Sequence, residues 1–280
     1  MSQATLFSID LNEITFCILD VETTGLNPAL GDRICEIALL KSRNGHALDT
    51  YHTLVNPGRP ISPSASAVNN ISDAMVRNSP SFEDVAGDIL SFMADTVLVG
   101  HNTQFDMSFL HAQLKALNLA LPSYSVLDTL ALARRHYKFA SNSLGNVARA
   151  IGLEPENQHR ALGDVLITKR IFDCFLKDFR NRGFATLEAL LQLQGGSVAY
   201  PRRHDVVIPQ ILEDALKNRR RLLVKYVSAA ASVSQRLIDP IEVNTLGDNL
   251  YLIGYCHKAR DRRTFRLDRI IEMRAENRDE

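Results

Sequence analysis

The segment from Ile14 to Glu22 is a nearly continuous apolar run that ends in two acidic residues, Asp20 and Glu22. An apolar run without alternation predicts a strand buried on both faces, as in the middle of a sheet covered by helices. Residues i and i+2 of a strand point to the same face, so both carboxylates would project into one space. Such a pair is often only a solvated strand end. Active sites of α/β proteins gather at the carboxyl ends of strands, however, so this position indicates a candidate site.

Further strands and helices are predicted on the C-terminal side of this segment. Strands predicted over 33–43 and 46–55 are joined by Asn44-Gly45, the strongest short hairpin signal. A short buried strand is predicted at 96–99, and apolar spacing predicts helices over 82–93, 105–117, 127–137, 144–151 and 161–179. Strands first and helices afterwards, with at least one crossover, predict a mixed-sheet α/β domain.

A second domain is predicted after about residue 200. The 280 residues are ample for two domains, and a breaker cluster from Gly195 to Pro201 follows an apolar-periodic stretch. Beyond it, a helix-like segment and four strand-like segments occupy 205–220, 221–227, 235–243, 249–255 and 264–267. We therefore expect an α/β domain over 1–182, a helical linker over 183–203 and a small β-rich domain over 204–280.

The formal charges cancel, with 32 Lys and Arg against 32 Asp and Glu, but the cancellation hides a split. Residues 1–200 carry 16 basic and 20 acidic side chains, whereas residues 201–280 carry 16 basic and 12 acidic ones. The excess of positive charge in the second part favours nucleic acid or another anionic partner. The alternative is that the two domains only have different solvated faces.

Composition and cysteine usage restrict the class of protein. With 45% hydrophobic and 23% charged residues, the chain is ordinary for a globular protein, which excludes disordered, collagen-like and disulfide-scaffold classes. Neither a secretory signal nor a membrane segment is expected, because no basic start precedes an apolar core and no window approaches 18 uninterrupted apolar residues. The four cysteines form no CxxC pair, which favours a reducing cytoplasm and no structural zinc.

Two more acidic residues follow predicted buried elements. Asp106 comes after the short strand, in Val-Gly-His-Asn-Thr-Gln-Phe-Asp, and Asp164 lies where the last long helix begins. Asp106 could be a first-turn carboxylate favoured by the helix dipole, with His101 a hydrogen-bonded loop histidine and Asn102 or Thr103 an N-cap. A buried carboxylate without a partner is costly, so something must compensate Asp164.

Four carboxylates in one pocket would repel one another and raise each other's pKa unless cations neutralise them. Oxygen ligands without cysteine suit Mg²⁺ or Mn²⁺ rather than zinc. Two such ions suit the in-line attack of water on a phosphodiester. His159, five residues before Asp164, could reach the same site and accept the water's proton, since histidine exchanges protons near neutral pH.

Three short motifs occur together and in order: Asp20-Val-Glu22-Thr-Thr-Gly, His101-Asn-x-x-Phe-Asp106 and His159-x-Ala-x-x-Asp164. Over residues 12–180 this set closely resembles the DEDDh 3′→5′ exonucleases, a family that includes the proofreading epsilon subunit of the bacterial replicative polymerase. The sequence departs from that family at 68–72, where Val-Asn-Asn-Ile-Ser stands in place of the frequent His-Gly-Ile-Thr.

This resemblance implies a fold and a set of roles. The fold would be RNase H-like, and two divalent ions, Mg²⁺ or Mn²⁺, would be held by Asp20, Glu22, Asp106 and Asp164. By the same resemblance His159 is the general base. Substrate-binding residues would be Thr23, Thr24, Leu26, His101, Asn102 and Phe105.

The C-terminal region resembles a second family, the WYL domains. The resemblance rests on Arg236-Leu-Ile-Asp-Pro, Leu250-Tyr-Leu-Ile-Gly-Tyr and Arg263-Thr-Phe-Arg-Leu-Asp-Arg-Ile, although the family's tryptophan is replaced by Leu250. It implies a small Sm-like β-barrel of a kind common in bacterial regulators. A nucleic-acid surface would be formed by Arg236, Tyr251, Arg263 and Arg266, since arginine forks and a stacking tyrosine suit single strands.

Taken together, these patterns predict a metal-dependent 3′→5′ exonuclease that releases nucleoside 5′-monophosphates. Single-stranded DNA is the favoured substrate and RNA remains open, and the C-terminal domain would grip or sense the strand. One alternative is a nucleic-acid-binding regulatory protein built on an inactive nuclease scaffold, although decayed nucleases usually lose carboxylates. Another alternative makes the C-terminal domain an inhibitory or dimerising module, so a homodimer is also open.

Overall fold

The computed structural model describes residues 10–28, 31–122, 124–154, 159–196, 209–228, 232–246 and 249–276. In the first of its two sheets the strand order is β3-β2-β1-β4-β5. The strands are β1 (Phe16–Thr23), β2 (Ile34–Arg43), β3 (His46–Leu54), β4 (Val97–Gly100) and β5 (Val126–Asp128). β1 is central, antiparallel to β2 and parallel to β4, so the predicted mixed sheet is confirmed.

Eight helices accompany this sheet within the described residues. They are α1 (Pro63–Asn69), α2 (Asp73–Val76), α3 (Phe82–Met93), α4 (Thr103–Ala116), α5 (Thr129–His136), α6 (Leu144–Ala150), α7 (Ala161–Asn181) and α8 (Leu187–Gln194). The predicted helix over 82–93 has the observed bounds, because Ser81 and Asp84 form a capping box at its start. The two short helices after residue 62 were not predicted.

Side chains of β1 alternate between two hydrophobic clusters. Phe16 and Ile18 pack with helix α7, whereas Cys17 and Leu19 pack with helices α3 and α4. Helices therefore cover both faces of the sheet, as the continuous apolar run predicts. By the same alternation Asp20 and Glu22 continue the α7 side of the strand.

The second sheet is antiparallel throughout, in the order β10-β6-β7-β8-β9. Its strands are β6 (Arg221–Val227), β7 (Val233–Leu246), β8 (Asn249–Cys256), β9 (Asp261–Arg266) and β10 (Ile270–Glu276), preceded by helix α9 (Gln210–Asn218). Leu212 and Ala215 of α9 pack into the hydrophobic cluster of this sheet. The β-rich C-terminal domain is thus confirmed, and closure into an Sm-like barrel stays a prediction.

Helix α8 lies within the predicted linker and packs against the first domain. Leu187 and Leu190 belong to the cluster that contains β1, and Gln194 donates to the Val126 carbonyl oxygen at 2.9 Å. Arg134 of α5 pairs with Glu213 of α9, which joins the two domains. The predicted boundaries stay predictions, since residues 197–208 lie outside the described part of the chain. No helix among the described residues is long and apolar enough to cross a membrane.

Candidate functional site

Three of the predicted carboxylates meet where β1 ends. Oxygen atoms of Asp20, Glu22 and Asp164 lie within 4.8 Å of one another. The two strand residues reach this point by alternation, and Asp164 reaches it because the first turn of α7 packs over the same face of β1. Asp164 and the two strand residues are at least 142 positions apart in the chain and therefore share one site only because of the fold.

The fourth predicted carboxylate, Asp106, is buried beside this group. Its Oδ1 accepts a hydrogen bond from the Val21 backbone N–H at 3.0 Å. That bond fixes the first turn of α4 against β1, between the two acidic residues of the strand. Asp106 is also close enough to raise the pKa of Asp20 by charge repulsion. The structure therefore brings together all four carboxylates predicted from the sequence.

Burial and mutual repulsion shift the acidity of the four groups. Burial first, and then repulsion from Asp106, Glu22 and Asp164, raises the pKa of Asp20 well above its usual range. Burial is also the main cause that raises the pKa of Glu22 to about 8, that of Asp106 to about 8 and that of Asp164 to about 6. Without a cation, the folded protein therefore holds protons that free carboxylates release.

This donor set fits a divalent cation. It consists of carboxylate oxygens with raised pKa values, held within the spacing that one ion can span. Hard oxygen donors of this kind suit Mg²⁺ or Mn²⁺. A bound cation would also remove the repulsion that keeps the carboxyl groups protonated.

The stability of the metal-free protein should therefore fall as pH rises from about 4 to about 8. In that window the unfolded chain has released the protons that Glu22 and Asp106, each with a pKa of about 8, still hold when folded. Saturating Mn²⁺ should raise the melting temperature at pH 8 by about 5–10 °C, the equivalent of a few kcal/mol for a domain of this size. The rise should be smaller at pH 5.5, where protons compete with the metal. Calorimetry at both pH values checks this, and an equal or larger rise at pH 5.5 would contradict it.

His159 lies at the entrance of the site in an unusual backbone conformation. Its φ is +61°, in the left-handed region that few residues other than glycine adopt, and its side chain is exposed. Its backbone N–H donates to Asp164 Oδ2 at 3.2 Å. The predicted general base is thus tied directly to one of the carboxylates.

A fifth carboxylate, Glu36, was not among the predicted site residues. It is fully buried on β2 and lies directly opposite Glu22 in the register of the two strands. Arg160 donates to both of its oxygens, at 2.6 Å from Nη2 to Oε1 and 3.0 Å from Nε to Oε2. His52 Nε2 lies 2.8 Å from Oε1, and the Ala161 N–H donates to Oε2 at 3.0 Å. Burial opposes ionisation of Glu36, but these hydrogen bonds hold its pKa below its ordinary value.

The end of β1 and the loop after it contain three of the predicted substrate-binding residues. Thr23 and Thr24 are buried, and their hydroxyl groups donate to the Gly25 carbonyl oxygen at 2.6 Å and to Asp32 Oδ1 at 3.2 Å. A Cβ atom on Gly25 would lie 2.4 Å from Asp32 Oδ2, so this close packing requires glycine. The threonine side chains therefore shape the loop.

Leu26, the third of these residues, contacts the C-terminal domain. It packs against the hydrophobic cluster that includes Leu267 and Ile270. The neighbouring Asn27 side chain donates to the Leu267 carbonyl oxygen at 3.4 Å. The loop beside the carboxylates is thus also part of the contact between the domains.

The other three predicted substrate-binding residues surround the start of α4. The two ring nitrogens of His101 lie 2.9 Å from Thr129 Oγ1 and 2.8 Å from the Asn142 carbonyl oxygen. Asn102 is the N-cap residue by position, at φ +72°, and its N–H donates to Asp128 Oδ1. The Phe105 ring packs at 4.9 Å from that of Phe109. All three are held by structural contacts, and His101 matches the loop-histidine alternative.

At 68–72, where the sequence departs from the pattern of the family that it resembles, Asn69 places its side-chain amide beside the carboxylates. Asn69 is buried, and its Nδ2 donates to the Thr23 carbonyl oxygen at 3.4 Å. Its hydrogen bonding also lowers the pKa of Glu22, against the larger effect of burial. The next residue, Asn70, ends helix α1 at φ +57°. Asparagine tolerates that conformation better than most residues other than glycine.

The four residues predicted as a C-terminal nucleic-acid surface are divided by strand alternation. Tyr251 and Arg266 are direct cross-strand partners on β8 and β9. Arg263 lies opposite Gly254 and is an odd number of residues from Arg266, so it alternates to the other face. Arg236 lies on β7 and donates to the Ser234 hydroxyl at 3.1 Å.

Two family profiles match this chain. Residues 17–172 match the profile described as an exonuclease, and residues 208–275 match the WYL domain. The first match covers β1 to the middle of α7 and includes all four carboxylates and His159. The second covers the antiparallel sheet.

Curated relatives are polymerase-associated proteins. A PolC-type DNA polymerase III of Thermotoga maritima is 37% identical over 182 residues, which are 65% of this chain and 13% of that protein. A DNA polymerase III subunit epsilon-like protein of Rhodobacter capsulatus is 36% identical over 196 residues, 68% of this chain and 27% of that protein. The matched part of this chain thus spans between about an eighth and a quarter of the length of these relatives.

The solved structure of exonuclease X in complex with 5′ overhanging duplex DNA is also similar. It is 29% identical, with a TM-score of 0.50, and the match covers 64% of this chain and 99% of that chain. The similarity is therefore to the exonuclease part of the molecule.

Proposed function

Because this chain belongs to the exonuclease family, whose profile it matches over residues 17–172, we propose that it is a metal-dependent 3′→5′ exonuclease of the DEDDh type. It hydrolyses phosphodiester bonds and releases nucleoside 5′-monophosphates. The single observation that carries this proposal is the meeting of four carboxylates at the end of β1, with His159 bonded to one of them. An inactive scaffold would have no need to bury this repulsive cluster.

The four carboxylates and His159 have different roles in this reaction. Asp20, Glu22, Asp106 and Asp164 would hold two divalent cations. When bound, the cations supply Lewis acidity to the phosphoryl group and make a water molecule easier to deprotonate. His159 accepts the proton of the attacking water, since its exposed imidazole is close enough to Asp164 for its charge to lower the pKa of that carboxyl, against the larger effect of burial. The loop that contains Leu26 lies next to the 3′ end of the bound nucleic acid.

We infer that the substrate is DNA with a 3′ end, and that single strands are preferred. A relative is named as a DNA polymerase III, and exonuclease X is seen with 5′ overhanging duplex DNA. These names support DNA as the substrate class, and the preference for single strands stays a prediction from the sequence. The basic C-terminal domain then binds the strand, with Tyr251 stacking on a base and arginines meeting the phosphates. RNA as a substrate and a homodimer stay predictions.

Direction and substrate can be tested together. The full chain is incubated with Mg²⁺ or Mn²⁺ and with 5′-labelled single-stranded or duplex DNA and RNA. A ladder of progressively shorter 5′-labelled products is the expected result, strongest on single-stranded DNA. Release of the labelled 5′ nucleotide as the first product would overturn the direction, and four intact substrates would overturn the activity.

Tyr251→Ala should raise KM for single-stranded DNA by about tenfold, since one base stacked on an aromatic ring contributes about 1–3 kcal/mol. The value of kcat should stay within about twofold, because the substitution is in the other domain. Steady-state kinetics on a 20-nucleotide strand and on a dinucleotide check this, with no change expected on the dinucleotide. Val233→Ala, at an exposed position of β7, is the matched control. An equal change in KM for both substrates would contradict a role in gripping the strand.

A further inference from the structure

We propose that the ion pair between Glu36 and Arg160 is a positioning device that holds His159 in the orientation from which it accepts a proton. This inference rests on the proposed nuclease activity and adds two positioning residues to it. Neither residue is proposed to touch a cation or the substrate. Their effect passes through the backbone of the three residues His159 to Ala161.

Each of these three consecutive residues is fixed by a carboxylate. The His159 N–H donates to Asp164, the Arg160 side chain donates to Glu36, and the Ala161 N–H donates to Glu36. Ala161 is the first residue of α7, so its N–H has no partner within the helix. Arg160 occupies the N-cap position without a side-chain capping bond, and Glu36 supplies the missing acceptor from strand β2.

The backbone conformation of His159 explains why such fixing is needed. A non-glycine residue at φ +61° is strained by about 1 kcal/mol or more, and it keeps that conformation only where the surroundings hold it. The following residue, Arg160, is held by a two-pronged guanidinium–carboxylate pair whose acid is fully buried. The pair therefore opposes relaxation of the turn that presents the imidazole.

Glu36 differs from the carboxylates of the cluster because both of its oxygens already accept hydrogen bonds. Glu36 lies opposite Glu22 on the same sheet face, where two acids side by side repel each other. Arg160, His52 and the Ala161 N–H use both oxygens of Glu36. Among the described residues, hydrogen bonding to Glu22 comes from Asn69. One acid is thus committed to holding the turn while its neighbour stays available.

The experiment uses Arg160→Gln and Arg160→Lys in the full chain, each made in the wild-type and in the His159→Asn background. In the wild-type background we expect Arg160→Gln to lower kcat by about 10- to 100-fold, as a small misplacement of a catalytic group does, with KM within twofold. Arg160→Lys keeps the charge but lacks the fork, so it should recover only part of kcat. In the His159→Asn background, Arg160→Gln should change kcat by less than about threefold, because the group it positions is already gone.

Two further measurements separate positioning from general damage. Hydrogen exchange of the backbone amides at 159–161 should be faster in Arg160→Gln, whereas the Mn²⁺ dissociation constant should stay within twofold. Arg182→Gln, which breaks the pair with Asp178 at the other end of α7, is the matched control and should leave kcat and this exchange unchanged. Glu36→Gln should lower kcat to the same extent as Arg160→Gln.

An equal loss of kcat in both His159 backgrounds would overturn the proposal, and so would a weakened Mn²⁺ affinity that accounts for the loss. Unchanged kcat in Arg160→Gln beside an active wild type would also overturn it. A wild-type protein without nuclease activity would instead refute the proposed function. The two failures are therefore distinguishable.

Discussion

Asp20→Asn should lower kcat by about 10³-fold or more. The carboxylate belongs to the group whose oxygens lie within 4.8 Å of one another, and an amide of the same size cannot replace its negative charge. Loss of several kcal/mol of charge stabilisation in the transition state corresponds to a loss of this size. Steady-state hydrolysis of single-stranded DNA with Mn²⁺ measures the effect. More than a tenth of the wild-type activity in this variant would contradict the site.

The same substitution should stabilise the metal-free protein at pH 8. Burial and the neighbouring carboxylates raise the pKa of Asp20 well above its usual range, so its ionised form opposes folding. An uncharged amide removes this repulsion, and the melting temperature in a chelator should exceed that of the wild type. The gain from added Mn²⁺ should largely disappear. Asp49→Asn, at an exposed position of β3, is the control. It should change neither the melting temperature in a chelator nor the gain in melting temperature from Mn²⁺.

His159→Asn should lower kcat by about 10²- to 10⁴-fold, the usual contribution of a general base. Asparagine is the informative replacement because it tolerates the left-handed conformation at φ +61°. The backbone N–H that donates to Asp164 is retained. Kinetics at saturating metal and substrate measure the loss, and the structure of the turn can be checked by hydrogen exchange.

This variant should differ from Asp20→Asn in one respect. Stabilisation by Mn²⁺ should persist in His159→Asn, because the four carboxylates are untouched, whereas it is lost in Asp20→Asn. His46→Gln, at the exposed start of β3, is the control for loss of an imidazole. If His159→Asn loses metal-induced stabilisation together with activity, His159 acts as a ligand and its role as a base is wrong.

The carboxylates could be predicted because each lies beside an apolar segment that the sequence makes plain. Asp20 and Glu22 end a buried strand, Asp106 follows another, and Asp164 lies in the first turn of a long amphipathic helix. Local patterns place such residues at element ends, and elements of an α/β sheet bring their ends together.

Glu36 could not be assigned in this way. It stands inside the apolar run of β2, and a charged residue there does signal a buried partner. Which partner it meets depends on the register of β2 against β1 and on the turn before α7, some 124 residues further along the chain. Neither is encoded in a short window of sequence. The burial of Thr24, whose hydroxyl donates to Asp32, likewise depends on how the loop after β1 folds back on itself.

Two strands were missed for local reasons. β5 has only three residues, Val126–Asp128, and runs directly into α5, so its apolar residues read as part of that helix in the sequence. β10 carries an irregularity between Ile270 and Glu272, which interrupts the alternation expected of a strand. The proline of β7, Pro240, also lies beside a register shift, where a sheet tolerates it.

Because Leu26 packs against the C-terminal cluster, the two domains are separate in the sequence but share a contact surface. A fragment that ends after α8 would expose this leucine and leave the Asn27 amide without the Leu267 carbonyl, beside the carboxylates. Exchanging the C-terminal domain for that of a relative would change the residues that contact Leu26 and Asn27. The unit that a protein engineer can transplant intact is therefore the whole two-domain chain, and a grafted exonuclease half needs a polar side chain at position 26.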